Sequence, residues 1–86
     1  MALDVPLTLV ICRTRDPHRQ AEALRAALGV TLRGARVETR VEGPLLTPLA
    51  ERAVATLRSF GHAVEPLDET TLGEALARAA AVEVWT

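Results

Sequence analysis

The chain has 86 residues, of which 49% are hydrophobic and 24% charged, a composition typical of one small globular domain. Its net charge of −1 excludes the basic surface that binding to nucleic acids or to anionic membranes requires. A single cysteine excludes an internal disulfide and a cysteine-based metal cluster, and we expect no metal site and no cofactor.

The N-terminal segment and the apolar runs bear on localisation. The first nine residues carry no basic side chain, and no stretch approaches the roughly 18 apolar residues of a membrane span. We therefore expect a cytoplasmic protein without a secretory signal, and one domain over residues 1–86.

The first half of the chain predicts a strand, a helix and a second strand. Residues 7–11 are a short run of β-forming residues, which predicts a strand that is buried on both faces. Asp16 and Pro17 form a typical helix start, and the helical spacing of apolar residues continues to Arg33. Residues 36–41 then alternate between charged and uncharged side chains, which predicts an edge strand with one exposed face.

The second half repeats this alternation. Thr47 and Pro48 start a second helix that ends at Gly61, and residues 62–67 form a third strand. A capping box from Thr71 to Glu74 predicts the start of a third helix, and residues 82–86 form a fourth strand.

Strands that alternate with helices predict an α/β fold with right-handed crossovers. We expect a three-layer, flavodoxin-like sandwich with a four-stranded, mainly parallel sheet and three helices. Because the first strand is the most apolar and the second resembles an edge, the simplest strand order is 2-1-3-4.

The loop after the first strand is the richest in chemically reactive groups. Ligands of open parallel sheets bind where the winding direction reverses, which in the order 2-1-3-4 lies between strands one and three. Guanidinium groups beside a helix N-terminus are suited to a small anion, although they can equally be solvated loop charges. The candidate ligand-binding residues are Arg13, Thr14, Arg15, His18 and Asp68.

Two interpretations of Cys12, the candidate catalytic residue, remain open. Arg13, Arg15 and the positive end of the following helix would lower the pKa of its thiol and make it a nucleophile. Alternatively, Cys12 is a small apolar residue at the end of a buried strand. A phosphatase loop is disfavoured, because its arginine would have to occupy the position of His18.

Trp85 also has two interpretations. On a terminal strand, its ring either packs under a helix or forms part of a subunit interface.

The segment from His18 to Gly34, followed by the strand at residues 35–39, resembles the DsrE/DsrF-like family, which includes sulfur-relay proteins of the TusB, TusC and TusD type. Residues 57–64 and 82–85 lie where that family has its third and fourth strands. The resemblance implies a flavodoxin-like domain that forms homo-oligomers, or hetero-oligomers with related subunits. Active members carry persulfide sulfur on a cysteine past the middle of the chain, whereas no cysteine follows Cys12 here.

The leading hypothesis is therefore a DsrE-like oligomeric subunit, without sulfurtransferase activity of its own, in sulfur handling or small-anion binding. The resemblance also implies that a fifth strand is missing, so we expect the fourth strand to be a contact surface. One alternative is a sulfur carrier or sulfurtransferase that uses Cys12 as a persulfide. Another is a structural protein–protein interaction module, and whether the protein is an enzyme stays open.

Overall fold

The computed structural model describes residues 6–86, and residues 1–5, which bear on the expected lack of a secretory signal, lie outside this range. Every predicted element is present. In chain order they are β1 (Leu7–Cys12), α1 (Pro17–Thr31), β2 (Arg36–Val41), α2 (Pro48–Ser59), β3 (Ala63–Pro66), α3 (Glu69–Arg78) and β4 (Ala81–Trp85).

The helix starts follow local capping chemistry. Asp16 caps α1 and Thr47 caps α2, each followed by proline, as predicted. The capping box predicted for α3 is wrong, because Asp68 accepts the hydrogen bond from the Thr70 N–H and starts the helix at Glu69. Aspartate is among the strongest N-caps, and here it precedes the threonine that we expected to cap.

The four strands form one parallel sheet in the order β3-β2-β1-β4, which confirms the three-layer α/β fold with three helices. The expected order 2-1-3-4 is wrong. β2 lies inside the sheet between β1 and β3, and the edges are β3 and β4.

The charges on β2 explain this error. Glu38 and Arg40 alternate with uncharged neighbours, as the side chains of an exposed strand face would, but both are buried. They bind each other beneath α3, so their alternation records an internal ion pair and not an exposed face.

The helices form two layers. Buried residues of α1 and α2 share one core with Val10 and Cys12 of β1. On the opposite face, Ala75 of α3 packs with Leu9 and Ile11 of β1. Successive β1 side chains thus enter different cores, as the period-two geometry of a strand requires.

This order moves the reversal of winding. The chain proceeds from β1 to β2 to β3 in one direction, and α3 then returns across the sheet to place β4 on the other side of β1. The reversal therefore lies between β1 and β4, not between β1 and β3. β1 lies beside the reversal of winding in both the expected and the observed strand order. Of the two loops that we expected at the reversal, only the loop after β3 lies elsewhere.

Candidate functional site

The loop after β1 is attached to the end of β4. The backbone N–H groups of Arg13 and Thr14 both donate to the Trp85 carbonyl oxygen, at 2.8 and 3.0 Å. The loop thus lies at the reversal of winding, where ligands of such sheets bind. Asp68 follows β3, an edge strand two positions away from β1. The next residue, Glu69, reaches Arg13 of this loop, whereas the Asp68 carboxylate is bound by Thr70.

Cys12 lies in the core between the sheet and helices α1 and α2, with no exposed surface. Burial raises the pKa of its thiol, and the nearby Glu42 carboxylate raises it further, whereas a hydrogen bond from the Thr14 backbone lowers it only in part. A buried thiol with a raised pKa stays protonated at neutral pH and is a poor nucleophile. Of the two interpretations, this geometry favours the small core residue.

The Arg13 guanidinium is matched by two carboxylates. Its Nη1 donates to Glu42 Oε1 at 3.2 Å, and its Nη2 donates to Glu69 Oε1 at 3.0 Å. These contacts join the β1 loop to the end of β2 and to the first turn of α3. An anion at Arg13 would have to compete with both carboxylates.

The N-terminus of α1 is occupied by the protein's own carboxylate. Asp16 Oδ1 accepts hydrogen bonds from the backbone N–H groups of His18 and Arg19, at 2.8 and 3.1 Å. Buried Thr14 holds this turn, because its hydroxyl oxygen accepts from the Asp16 N–H at 3.1 Å. The amides that a bound anion would use are therefore already satisfied.

Two of the remaining candidates point away from this turn. The exposed His18 imidazole lies 3.8 Å from Glu22 Oε1, one helical turn along α1. The Arg15 guanidinium lies over Gly43, where an added Cβ would be 3.1 Å from Arg15 Cζ. Gly43 also has a φ of +76°, a left-handed backbone conformation that favours glycine.

Asp68 has a structural role at the start of α3. It accepts hydrogen bonds from the Thr70 backbone N–H at 3.0 Å and from the Thr70 hydroxyl at 2.8 Å. These two bonds lower the pKa of its carboxyl group.

A charged network that we did not predict lies on the α3 face of the sheet. Arg40 donates through Nε and Nη2 to Glu38 Oε2, and through Nη1 to the Thr71 hydroxyl at 2.8 Å. Arg78 donates to Glu38 Oε1 at 3.2 Å. Burial raises the pKa of Glu38, but the hydrogen bonds and charges of Arg40, and then of Arg78, outweigh it and lower the pKa below its usual value. The sequence feature that could have revealed this network is a glutamate and an arginine two residues apart, a spacing that places both on the same face of a strand.

Gln20 is a second residue that was missed. Its fully buried amide bridges the loop after β2, donating to the Pro44 carbonyl oxygen at 2.9 Å and accepting from the Leu46 N–H at 2.8 Å. Its position four residues before Leu24, on the apolar stripe of α1, was the signal. A polar side chain there is buried and needs partners.

Two clefts lie at the carboxyl ends of β2 and β3. One, of about 220 Å³, has a largely apolar lining that includes Val41, Leu45, Val54 and Val64. The other, of about 390 Å³, is polar and is lined by Arg40, Glu65, Pro66, Asp68, Thr71, Glu74 and Arg78. Both of its guanidinium groups already bind Glu38, so the carboxylates of Glu65, Asp68 and Glu74 make this cleft net negative.

The edge strand β4 has an unusual distribution of apolar surface. Among residues 6–86 it pairs with β1 alone, and its Val82 and Val84 side chains are 43% and 55% exposed. Trp85 is half-buried against the core of α1 and α2, and the Arg19 guanidinium lies 5.4 Å from the centre of its ring. The packed interpretation of Trp85 thus holds for part of its surface, while the rest lies at the sheet edge.

Comparison with protein-family models, curated proteins and solved structures found no match to this chain. Within residues 6–86, no group of histidine, cysteine, aspartate or glutamate side chains is arranged to hold a metal ion. The helices described in that range are too short or too polar to cross a membrane.

Proposed function

We propose that this chain is a non-catalytic subunit that assembles with copies of itself, and that its assembly serves sulfur handling, as the DsrE-like resemblance implies. The observation that carries the assembly is the exposed apolar edge of β4, with Val82 and Val84 side by side on one face. Because a small domain buries only a small hydrophobic core, burial of such an edge adds stability.

The chemistry of the β1 loop supports a non-catalytic role. The thiol of Cys12 is buried, Arg13 is paired with two carboxylates, and the amides at the start of α1 are capped by Asp16. The thiol, this guanidinium and these amides are therefore buried or already bound within the chain.

Self-assembly predicts a sedimentation-equilibrium mass that is a multiple of the 9.2 kDa monomer at micromolar concentration. Val84→Asp should dissociate the assembly, because it places a carboxylate within the exposed valine pair. The matched control is Leu49→Asp, on α2, where a leucine exposed to a similar extent is replaced in the same way. A wild-type protein that sediments as a monomer would contradict the proposed function.

The alternative, a sulfur carrier that uses Cys12, predicts a reactive thiol. We expect instead that Cys12 resists iodoacetamide in the native protein at neutral pH and at about pH 9, and reacts after denaturation. Mass spectrometry measures the alkylation of the native and of the denatured protein. In a separate reaction, a polysulfide donor should add no sulfur to the native chain. In Leu49→Cys, which adds a thiol at an exposed position of α2, one thiol should react in the native protein and two after denaturation. Rapid native modification of wild-type Cys12 would favour the carrier hypothesis.

A further inference from the structure

The two edges of the sheet differ in how they oppose pairing with another chain. β3 has four residues and ends on Glu65 and Pro66. A charge and a proline without an N–H group are common protections of an edge strand. β4 has five residues, a single charge at Glu83 and no proline. Of the two, β4 is the edge that can accept another strand.

The backbone of β4 has hydrogen-bonding groups available on its outer side. The Trp85 carbonyl oxygen accepts from the Arg13 N–H at 2.8 Å, so the backbone groups of Trp85, and of the alternate residues Glu83 and Ala81, face β1. Because backbone groups of a strand alternate in direction, those of Val82 and Val84 point away from β1. Another strand would satisfy them.

The side chains of β4 divide between the two faces of the sheet. Val82 and Val84 are in register with Leu9 and Ile11, so they lie on the α3 face. Glu83 and Trp85 are in register with Val10 and Cys12, so they lie on the α1 face.

On the α1 face, two opposite charges lie along the outer edge. The Trp85 Nε1–H donates to Glu83 Oε1 at 3.4 Å, and the Arg19 guanidinium stacks over the Trp85 ring. The carboxylate thus lies at the Nε1 edge of the Trp85 ring and the guanidinium lies over its face, where Arg19 Nε also donates to the Thr86 carbonyl oxygen at 3.0 Å. A copy turned by a twofold rotation would present the two charges in reverse order along the strand.

We propose that β4 pairs antiparallel with β4 of a second copy, around a twofold axis at Val84, to form one continuous eight-stranded sheet. This inference rests on the self-assembly proposed above and names its geometry. Val84 then lies opposite its own counterpart, and Glu83 lies opposite the partner's Trp85. Each Glu83 carboxylate thereby meets the partner's Arg19, which gives two equivalent ion pairs across the axis.

Charge complementarity selects this register over its neighbours. An axis at Glu83 would place two carboxylates opposite each other, and like charges in directly opposed positions destabilise an antiparallel pair. An axis at Val82 would place Glu83 opposite the partner's Ala81, out of line with Arg19. The axis at Val84 alone of these three gives each carboxylate a cation.

A cysteine placed on the axis tests the register directly. Val84→Cys puts two thiols in a hydrogen-bonded pair with Cα atoms about 5.5 Å apart, a separation that a disulfide spans. We expect a mild oxidant to convert this variant to a covalent dimer on a non-reducing gel. Val82→Cys, on the same face, is the matched control and should stay largely uncrosslinked. The wild type, whose only thiol is buried Cys12, should form no covalent dimer.

A charge exchange tests the ion pairs. Arg19→Glu and Glu83→Arg should each raise the dimer dissociation constant by about tenfold, because two symmetric pairs are lost. The double variant should restore most of the affinity, since the charges then pair in the opposite sense. A purely structural role of Arg19 in holding Trp85 predicts no such rescue.

The outcomes separate the two proposals. A monomeric wild type contradicts self-assembly itself. An assembly that Val84→Asp dissociates, but in which Val84→Cys forms no crosslink or Val82→Cys crosslinks as well, contradicts only the register. Failure of the double charge variant to recover affinity also overturns the register.

Discussion

Replacement of Glu38 by glutamine is expected to lower the free energy of unfolding by about 3 kcal/mol, because it leaves a nearly buried guanidinium without its counter-charge. The side chains of Glu38 and Arg40 are each only 10% exposed. Glu38 also binds Arg78, so the substitution weakens the contact between β2 and α3. Urea unfolding followed by circular dichroism measures the change.

Glu65→Gln is the matched control for this prediction. Glu65 is in register with Arg40 on the neighbouring strand β3, but it is exposed. The same chemical change there should alter the free energy of unfolding by less than about 0.5 kcal/mol. Equal effects of the two substitutions would show that the network contributes no stability of its own.

The pH dependence of the wild type provides a second measurement of the same network. The folded state lowers the pKa of Glu38 below its ordinary value of 4.5, so the unfolded state binds a proton first as the pH falls. The stabilisation is therefore fully present above that ordinary value and is lost as the pH falls through the lower pKa of the folded state. The difference between wild type and Glu38→Gln should shrink over this acidic range.

Replacement of Leu57 by alanine is expected to cost about 3 kcal/mol, through lost apolar burial and the cavity left in the core of α1 and α2. Leu57 has no exposed surface, whereas Leu49, on the same helix, is 56% exposed. Leu49→Ala should therefore cost less than about 0.5 kcal/mol in the same unfolding measurement. Since domains of this size have a stability of only about 5–15 kcal/mol, the first change removes a large fraction of the total. Similar costs at both positions would contradict the burial pattern.

The candidate loop after β1 was predictable from sequence for a reason that does not depend on strand order. A strand as apolar as β1 belongs in the middle of a parallel sheet, and the winding reverses beside it in both the expected and the observed order. Whether the polar groups of this loop are free to bind a ligand was not predictable. Asp16 was recognised as a helix cap, but the sequence does not reveal that its carboxylate takes up the amides an anion would need.

The error in strand order came from β2. A linear pattern records that Glu38 and Arg40 are charged, but it does not distinguish a charge in water from a charge paired with its neighbour. Only the position of α3, which brings Thr71 and Arg78 over the same face, decides that these two side chains are buried.

The sequence by itself determined the seven elements and the α/β class, because periodicity, capping residues and glycine stops act over a few residues at a time. The tertiary structure alone decided the order of the strands, the burial of Cys12 and the position of β3, not β2, at the edge opposite β4. Those properties depend on the face of the sheet that each helix covers, and they are set by contacts between residues far apart in the chain.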